Sequence, residues 1–371
     1  MRNVFLTLLL AVTITAVGQI SQGPVLSCRV MYMPDGIYAT FNTNKGKIKV
    51  SLDYKRAPMT VANFIGLAEG TIKNISYPQG VPFFKGSVWH RVVPGHVIQG
   101  GEPSIVKDPA NKETSSTGYE LPNEITGLSH DKAGMLGMAN GGPHTNTCQY
   151  YITLADRSYL DGNYTLFGEV FEGMDVVNKI VQGDSTLSIT IERKGEDATR
   201  FIVNDDTFKQ LVDTQWKKVN QEKELKKEKE ERYISDNYQG LTTLTDGTRY
   251  KILNSVKGKP APEGSVLTVS YTGKLINGTR FVSTADEGKP DSGSQATSFT
   301  YVQGKGKIIK GLVDVLKEMK AGEKRVVVIP PSQAYGEKSG FYGKSVPGQK
   351  RFVISPGETL ILEVTLESIA Q

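Results

Sequence analysis

"VWHRVVPGHVIQGGEP", residues 88–103, reads as a buried strand bounded by glycine, into which one permanently charged side chain, Arg91, has been placed. On a half-buried strand such a guanidinium is ordinarily a surface residue. Whether this one has a task depends on what surrounds it. Upstream, "YATFNTNKGKIKVSL" (38–52) alternates apolar residues around a turn-rich centre. Ala39 and Phe41 fall on one face and Ile48, Val50 and Leu52 on another, which predicts a β-hairpin. "APMTVANFIGLAEG" (57–70) then sets Val61, Phe64, Ile65 and Ala68 at helical spacing, with Gly70 available to end the helix. Short apolar strands separated by Gly, Pro and Asn continue to about Arg193, the texture of a β-barrel or sandwich.

The chain has 371 residues, too many for one core, and its formal charge of +5 is small for that length. No dense Lys/Arg stripe interleaved with aromatics appears, so nucleic acid is not an expected partner. "MRNVFLTLLLAVTITAVG" (1–18) has one early cation, an apolar run and small residues at Ala16 and Gly18, a signal-peptide pattern too short for a membrane span. The expectation is export to a periplasm or cell envelope with no transmembrane span in the mature chain; lipid anchoring through Cys28 is the competing reading. Cys28 and Cys148 are the only cysteines, so no disulfide framework is expected. The four histidines, with His130 and His144 isolated, suggest no metal site, and no cofactor is called for.

Composition shifts at "DTFKQLVDTQWKKVNQEKELKKEKEERYISDNY" (206–238), where Gly and Pro vanish and Lys and Glu dominate. One long helix is predicted. Phe208, Leu211, Val212 and Val219 are available to pack on a neighbour, whereas "NQEKELKKEKEER" is polar all round and reads as a solvated spacer. A second unit begins near Leu241, with strands in "SVLTVSYTGKL", "EKRVVVIP" and "TLILEVTLESI". Between them "IIKGLVDVLKEMKAG" stripes Ile308, Leu312, Val315, Leu316 and Met319 along one helix that stops at Gly322.

Through "WHRVVPGHVIQGGEP", "MLGMANGGPHTNTCQYYI" and "YLDGNYTLFGEV", residues 37–203 resemble the cyclophilins. The resemblance implies a closed eight-stranded antiparallel β-barrel with two capping helices and a groove that isomerises X-Pro peptide bonds. Carried over residue by residue, that groove consists of Arg91, His96, Val97, Gln99, Ala139, Asn140, Gln149, Tyr151, Tyr159, Leu160 and Tyr164. Arg91, Gln99 and Tyr151 take the catalytic roles and the others bind substrate. Rotating a prolyl bond needs no nucleophile, only weakened amide resonance, whose barrier is about 20 kcal/mol. A guanidinium aimed at the pyramidalising nitrogen donates a bond absent from the planar ground state. For Tyr151 the expectation is a hydroxyl reaching a wet rim. His96 stands where phenylalanine is usual, Tyr159 where tryptophan is common and Tyr164 where histidine is common.

Through "VSYTGKLINGTRFVST", "GKIIKGLVDVLKEMKAGEKRVVVIPPSQAYG" and "ISPGETLILEVTLESI", residues 241–371 resemble FKBP-type isomerases. This implies an α+β fold, a twisted antiparallel sheet wrapping one helix from about Ile309 to Lys320, joined to the first domain by the long charged helix of 204–238. The implied pocket holds Tyr271, Phe281, Phe299, Ile308, Ile309, Leu312, Tyr335, Ile354 and Leu362. Val282 replaces a usual aspartate and Leu312 a usual tryptophan, and "GEKSGFYGKSVPGQKRFVIS" (336–355) is expected to overhang the pocket as a flap. The combined expectation is an exported peptidyl-prolyl isomerase acting on unfolded or proline-containing clients. The alternative is a holdase or assembly scaffold whose FKBP-like half does not turn over. The sequence does not fix the oligomeric state.

Overall fold

The alternation at 38–52 becomes a hairpin of β1 (Gly36–Thr43) and β2 (Gly46–Leu52). Its register sets Phe41 opposite Ile48 and Ala39 opposite Val50, so these residues share one buried face rather than occupying two. Directly paired residues on antiparallel strands point the same way, which single-strand alternation does not reveal. The computed structural model describes residues 33–103, 117–283, 298–305, 308–342 and 352–370. The expected leader and Cys28 lie outside the described residues, as do residues 343–351 of the expected flap.

Seven further strands complete the first sheet: β3 (Ser87–Val88), β4 (Arg91–Val93), β5 (Val97–Gly100), β6 (Met135–Met138), β7 (Tyr150–Thr153), β8 (Leu166–Glu172) and β9 (Ser185–Lys194). They pair in the order β3-β9-β1-β2-β8-β6-β7-β5-β4. The count is nine rather than eight because the two-residue β3 pairs with β9. A β3–β4 seam, which would close the barrel, is not among the pairings of the described residues. One face of the curled sheet packs Phe41, Ile48, Ile98, Leu136 and Ile152 against α1 (Pro58–Glu69). Pro58 opens α1, and Gly70, at φ 72°, ends it in the left-handed region that favours glycine. The second expected capping helix is a single turn, Met174–Val177.

The long helix, α2 (Asp205–Asn237), starts on a reciprocal cap: Thr207 N–H donates to Asn204 Oδ1 at 2.9 Å and Asn204 N–H to Thr207 Oγ1 at 3.0 Å. Phe208 and Val219 are buried, and Leu211 and Val212 pack on the first core, as the apolar spacing predicts. The charged stretch departs from the spacer reading. Lys226 Nζ donates to Gly357 O at 2.9 Å, Thr359 Oγ1 donates to Glu230 at 2.7 Å, and Arg249 grips Glu231 through both terminal nitrogens. Ile234 is buried with Val326, Val328 and Ile361. The partners of these charges lie up to 132 residues away, so a polar-all-round pattern did not disclose them.

The second sheet orders Arg249–Asn254, Lys324–Ile329, Leu360–Ala370, Val266–Leu275 and Arg280–Ser283 side by side, with Phe299–Val302 also paired to Val266–Leu275. Its helix, α3 (Lys310–Leu316), is shorter than the expected Ile309–Lys320. After Leu316 the bonding tightens to i→i−3, with Met319 N–H donating to Leu316 O at 3.2 Å. Leu312, Val315, Leu316 and Met319 are nonetheless buried on one side, as their spacing predicts.

Candidate active site

Strand register builds the site. Arg91 on β4 pairs with Gln99 on β5, Gln99 with Tyr151 on β7, and Tyr151 with Gly137 on β6. Four residues far apart in sequence thereby form one row on the face opposite the core, because their neighbours Ile98, Ile152 and Leu136 point inward. Gly137 ends the row for a steric reason. A Cβ there would lie 2.4 Å from the Tyr151 hydroxyl oxygen, so the missing side chain makes room for the tyrosine ring.

Arg91 is exposed and held from below. Its Nη1 donates to Gln99 Oε1 at 3.1 Å, Gln99 Nε2 donates to Gln149 Oε1 at 2.7 Å, and Gln149 Nε2 donates to Glu102. A guanidinium at one end and a carboxylate at the other polarise the two amides in the same sense. Ala139 N–H donates to Gln149 O at 3.0 Å, and Asn140 Oδ1 accepts from Gly142 N–H at 3.2 Å. The Gln99–Gln149 and Ala139–Gln149 contacts join the expected members Gln149 and Ala139 to the row, and Asn140 follows Ala139 in the chain. Val97 is buried beside it on β5. Tyr159 and Leu160 lie half-buried on the 3₁₀ turn Ser158–Leu160, and the Tyr164 ring meets Tyr151 edge-on at 6.1 Å. The first-domain residues expected to form a groove are therefore brought together.

Tyr151 corrects the sequence reading. Its hydroxyl turns inward, 2.6 Å from Nε2 of His130, whose Nδ1 lies 2.5 Å from Asp161 Oδ1. His130 is thus not isolated. It is fully buried, stacked on Tyr151 at 6.0 Å, and its partners are 21 and 31 residues away. Burial lowers the His130 pKa, although the Asp161 hydrogen bond opposes the shift. Burial by itself would raise Asp161, but hydrogen bonds from Ser129 and His130 prevail and lower it. The network therefore assigns a neutral imidazole that donates through Nδ1 to a carboxylate and accepts a hydrogen bond from the Tyr151 hydroxyl through Nε2. Burial drives the Tyr151 pKa well above its ordinary value, so the phenol stays protonated. His144 is not isolated either: its ring lies 5.8 Å from Trp216 and its Nδ1 accepts from Asn123 N–H.

His96 stacks on Tyr159 with ring centroids 6.4 Å apart and planes 19° from parallel. Burial lowers its pKa to about 4, and the charges of Arg157 and Arg91 act in the same direction. The ring is therefore neutral near pH 7. Because the folded pKa lies below the unfolded value of about 6.5, the unfolded chain takes up the proton first. Stability from His96 is accordingly full above pH 6.5 and is lost as pH falls toward 4. The expected result is that His96→Phe flattens the melting-temperature profile between pH 6.5 and 4. His130 and His144, also lowered, titrate in both proteins, so the difference curve isolates His96. Parallel profiles would refute this assignment.

The nine second-domain residues fall in one apolar cluster. Leu362, Ile354, Leu312 and Phe281 are buried, while Tyr271, Phe299, Ile308, Ile309 and Tyr335 remain half-buried against them. Tyr271 and Phe299 meet edge to face at 5.6 Å. Gly273 admits the Phe281 ring, which a Cβ would approach to 2.6 Å. Val282 is placed by its backbone pairing with Gly273. Among the described residues no His, Cys, Asp and Glu cluster is suited to a metal ion, and no helix is long and apolar enough to cross a membrane.

Comparison with known proteins matches residues 38–199 to the family model "Cyclophilin type peptidyl-prolyl cis-trans isomerase/CLD" and residues 257–367 to "FKBP-type peptidyl-prolyl cis-trans isomerase". Peptidyl-prolyl cis-trans isomerase A of Mycobacterium tuberculosis is 42% identical over 139 residues, which span 36% of this chain and 73% of that protein. A peptidyl-prolyl cis-trans isomerase of Encephalitozoon cuniculi is 40% identical over 137 residues, 37% of this chain and 74% of that protein. Peptidyl-prolyl cis-trans isomerase B of Streptomyces anulatus is 37% identical over 143 residues, 37% of this chain and 78% of that protein. The chain belongs to the cyclophilin-type peptidyl-prolyl cis-trans isomerases and carries an FKBP-type isomerase domain in the same polypeptide.

Proposed function

We propose that this isomerase assists the folding of exported proline-containing proteins, with Arg91 as its principal catalytic group. The observation that carries the site assignment is the row Arg91, Gln99, Tyr151, Gly137 on the outer face of the sheet, with Val97 beside it. As the prolyl bond twists, its nitrogen recovers a lone pair and the exposed guanidinium donates to it, a contact unavailable in the planar ground state. Gln99 restrains Arg91 from the opposite side, so little orientation entropy is left to lose. Val97, Leu160, the Tyr151 ring and the neutral His96 ring form the apolar slot for the proline. Gln99 and the Asn140 backbone hold the flanking amides. Uncatalysed X-Pro isomerisation takes tens to hundreds of seconds, slow enough to limit folding.

Export is supported by the pattern of residues 1–18, and mass spectrometry of the mature N-terminus tests it: an end at Gln19 fits cleavage and an acylated Cys28 fits anchoring. Activity is tested by NMR exchange on an Ala-Ala-Pro-Ala peptide with the full-length chain. Exchange no faster than in buffer would end the catalytic reading. The second reading, peptide holding by the FKBP-type half, draws on the all-apolar floor that Leu312 gives its pocket. Protection of a client from aggregation that survives Arg91→Ala undiminished would favour it.

A further inference from the structure

One cation near the groove has no part in the scheme above. Arg157 lies just before the turn that carries Tyr159 and Leu160, and its Nε donates to His96 Nδ1 at 2.7 Å. Its terminal nitrogens donate to the carbonyl oxygens of Gly95 and Asp156. All three acceptors are neutral, and Arg91 likewise donates to the neutral Gln99 amide. Among the described residues neither guanidinium has a carboxylate within 4 Å. The adjacent acids make their hydrogen bonds elsewhere: Asp156 Oδ1 accepts from Ser158 N–H at 2.9 Å and Ser158 Oγ at 2.7 Å, with the Arg157 charge only a minor influence on that carboxylate, and Asp161 accepts from Ser129 and His130. Arg157 is bonded to His96, which stacks on Tyr159, and Arg91 sits on the strand hairpinned to the one that begins after His96; both positive charges act on His96 and Tyr159. Glu102 lies at the far end of the Gln99–Gln149 amide chain.

Two guanidiniums that make no ion-pair contact among the described residues leave an unmet electrostatic demand at a peptide-binding surface. We infer that Arg157 is a specificity-determining residue, and that the groove selects prolyl peptides carrying an acidic side chain next to the proline on the His96–Tyr159 side. The inference rests on the isomerase reading and narrows its substrate class. Arg157 supplies charge at the rim. The fork that pins it to Gly95 and His96 keeps that charge in place as the client exchanges.

The test uses the full-length chain with Ala-Ala-Pro-Ala peptides bearing Glu, Ala or Lys, once before and once after the proline. kcat/KM is read by NMR exchange at low and at 0.5 M salt, and affinity by chemical-shift titration. A partly solvated charge pair is worth roughly a three- to tenfold preference for Glu over Lys, at whichever position faces the pair. Because exposed charges are screened, at least half of that preference should vanish at high salt. Arg157→Gln is expected to bring the Glu-to-Lys ratio below about twofold, and Arg157→Lys, which restores charge without the fork, to recover most of it. A purely structural Arg157 would show no such charge-dependent rescue. Glu and Lys peptides handled equally at both positions, or a preference untouched by Arg157→Gln, overturns the inference. If no peptide interconverts faster than in buffer, the isomerase reading fails instead, and the titrations still report whether the groove prefers an acid.

Discussion

Arg91→Ala should lower kcat/KM for a neutral X-Pro peptide by about 10- to 150-fold without lowering the melting temperature appreciably. The magnitude follows from one charge-assisted hydrogen bond gained only in the twisted state, worth roughly 1.5 to 3 kcal/mol, at 1.36 kcal/mol per tenfold in rate. Stability should be spared because Arg91 is exposed and its one side-chain bond among the described residues, to Gln99, joins groups that water can serve in its place. Arg91→Lys keeps the charge but loses the planar fork that lets one nitrogen rest on Gln99 while another points at substrate, so it should recover less than half of the loss on a logarithmic scale. Any turnover by the FKBP-type half would set a floor under the measured rate, so the comparison is made in a chain that also carries Tyr335→Ala. A fall of less than threefold in the double variant relative to Tyr335→Ala alone would remove Arg91 from the mechanism.

What the sequence discloses about this site is governed by range. The hairpin, α1 and α2 were legible because their determinants are local: alternation, helical spacing, Pro58 and Gly70 at the ends of one helix. Strand positions in the second sheet were legible for the same reason, and Val266–Leu275, Lys324–Ile329 and Leu360–Ala370 fall where the apolar runs predict. The groove residues were reached through family resemblance, since the row from Arg91 to Gly137 exists only after four strands have taken their register. His130, Asp161 and Arg157 escaped even that route. No motif marks a histidine whose partners stand 21 and 31 residues away, or an arginine whose acceptors are a distant imidazole and a carbonyl. The inward hydroxyl of Tyr151 follows from the same geometry: a tyrosine tip seeks a partner, and here the buried imidazole offers one before solvent does.

The start of α1 presents the other large effect, and it too depends on a distant residue. Ala57 occupies the N-cap and has no side chain with which to cap, so the first-turn N–H groups of Met59 and Thr60 need acceptors from elsewhere. Glu124, in the segment preceding β6, supplies them: its carboxylate accepts from Met59 N–H at 3.2 Å, Thr60 N–H at 2.9 Å and Thr60 Oγ1 at 2.8 Å. It also places negative charge at the positive end of the helix dipole. Burial nevertheless raises the Glu124 pKa, and the hydrogen bonds from Thr60 and Met59 only partly oppose that shift. A raised carboxyl pKa means that the folded state holds its proton more tightly than the unfolded state does. Glu124 therefore contributes most at acid pH and loses part of that contribution as pH rises through its folded pKa. Removing it altogether is still costly, because Glu124→Ala strands three buried donors, and roughly 2 to 4 kcal/mol should be lost. For a domain of this size that corresponds to a fall in melting temperature of about 5 to 15 °C. Glu124→Gln keeps one acceptor oxygen and has no charge to desolvate, so it should cost less than Ala, and its deficit should shrink as pH rises from 4 to 8. Calorimetry of both variants across that range checks the assignment. A melting point for Glu124→Ala within 1 °C of the unsubstituted chain would mean that water, not Glu124, satisfies the start of the helix.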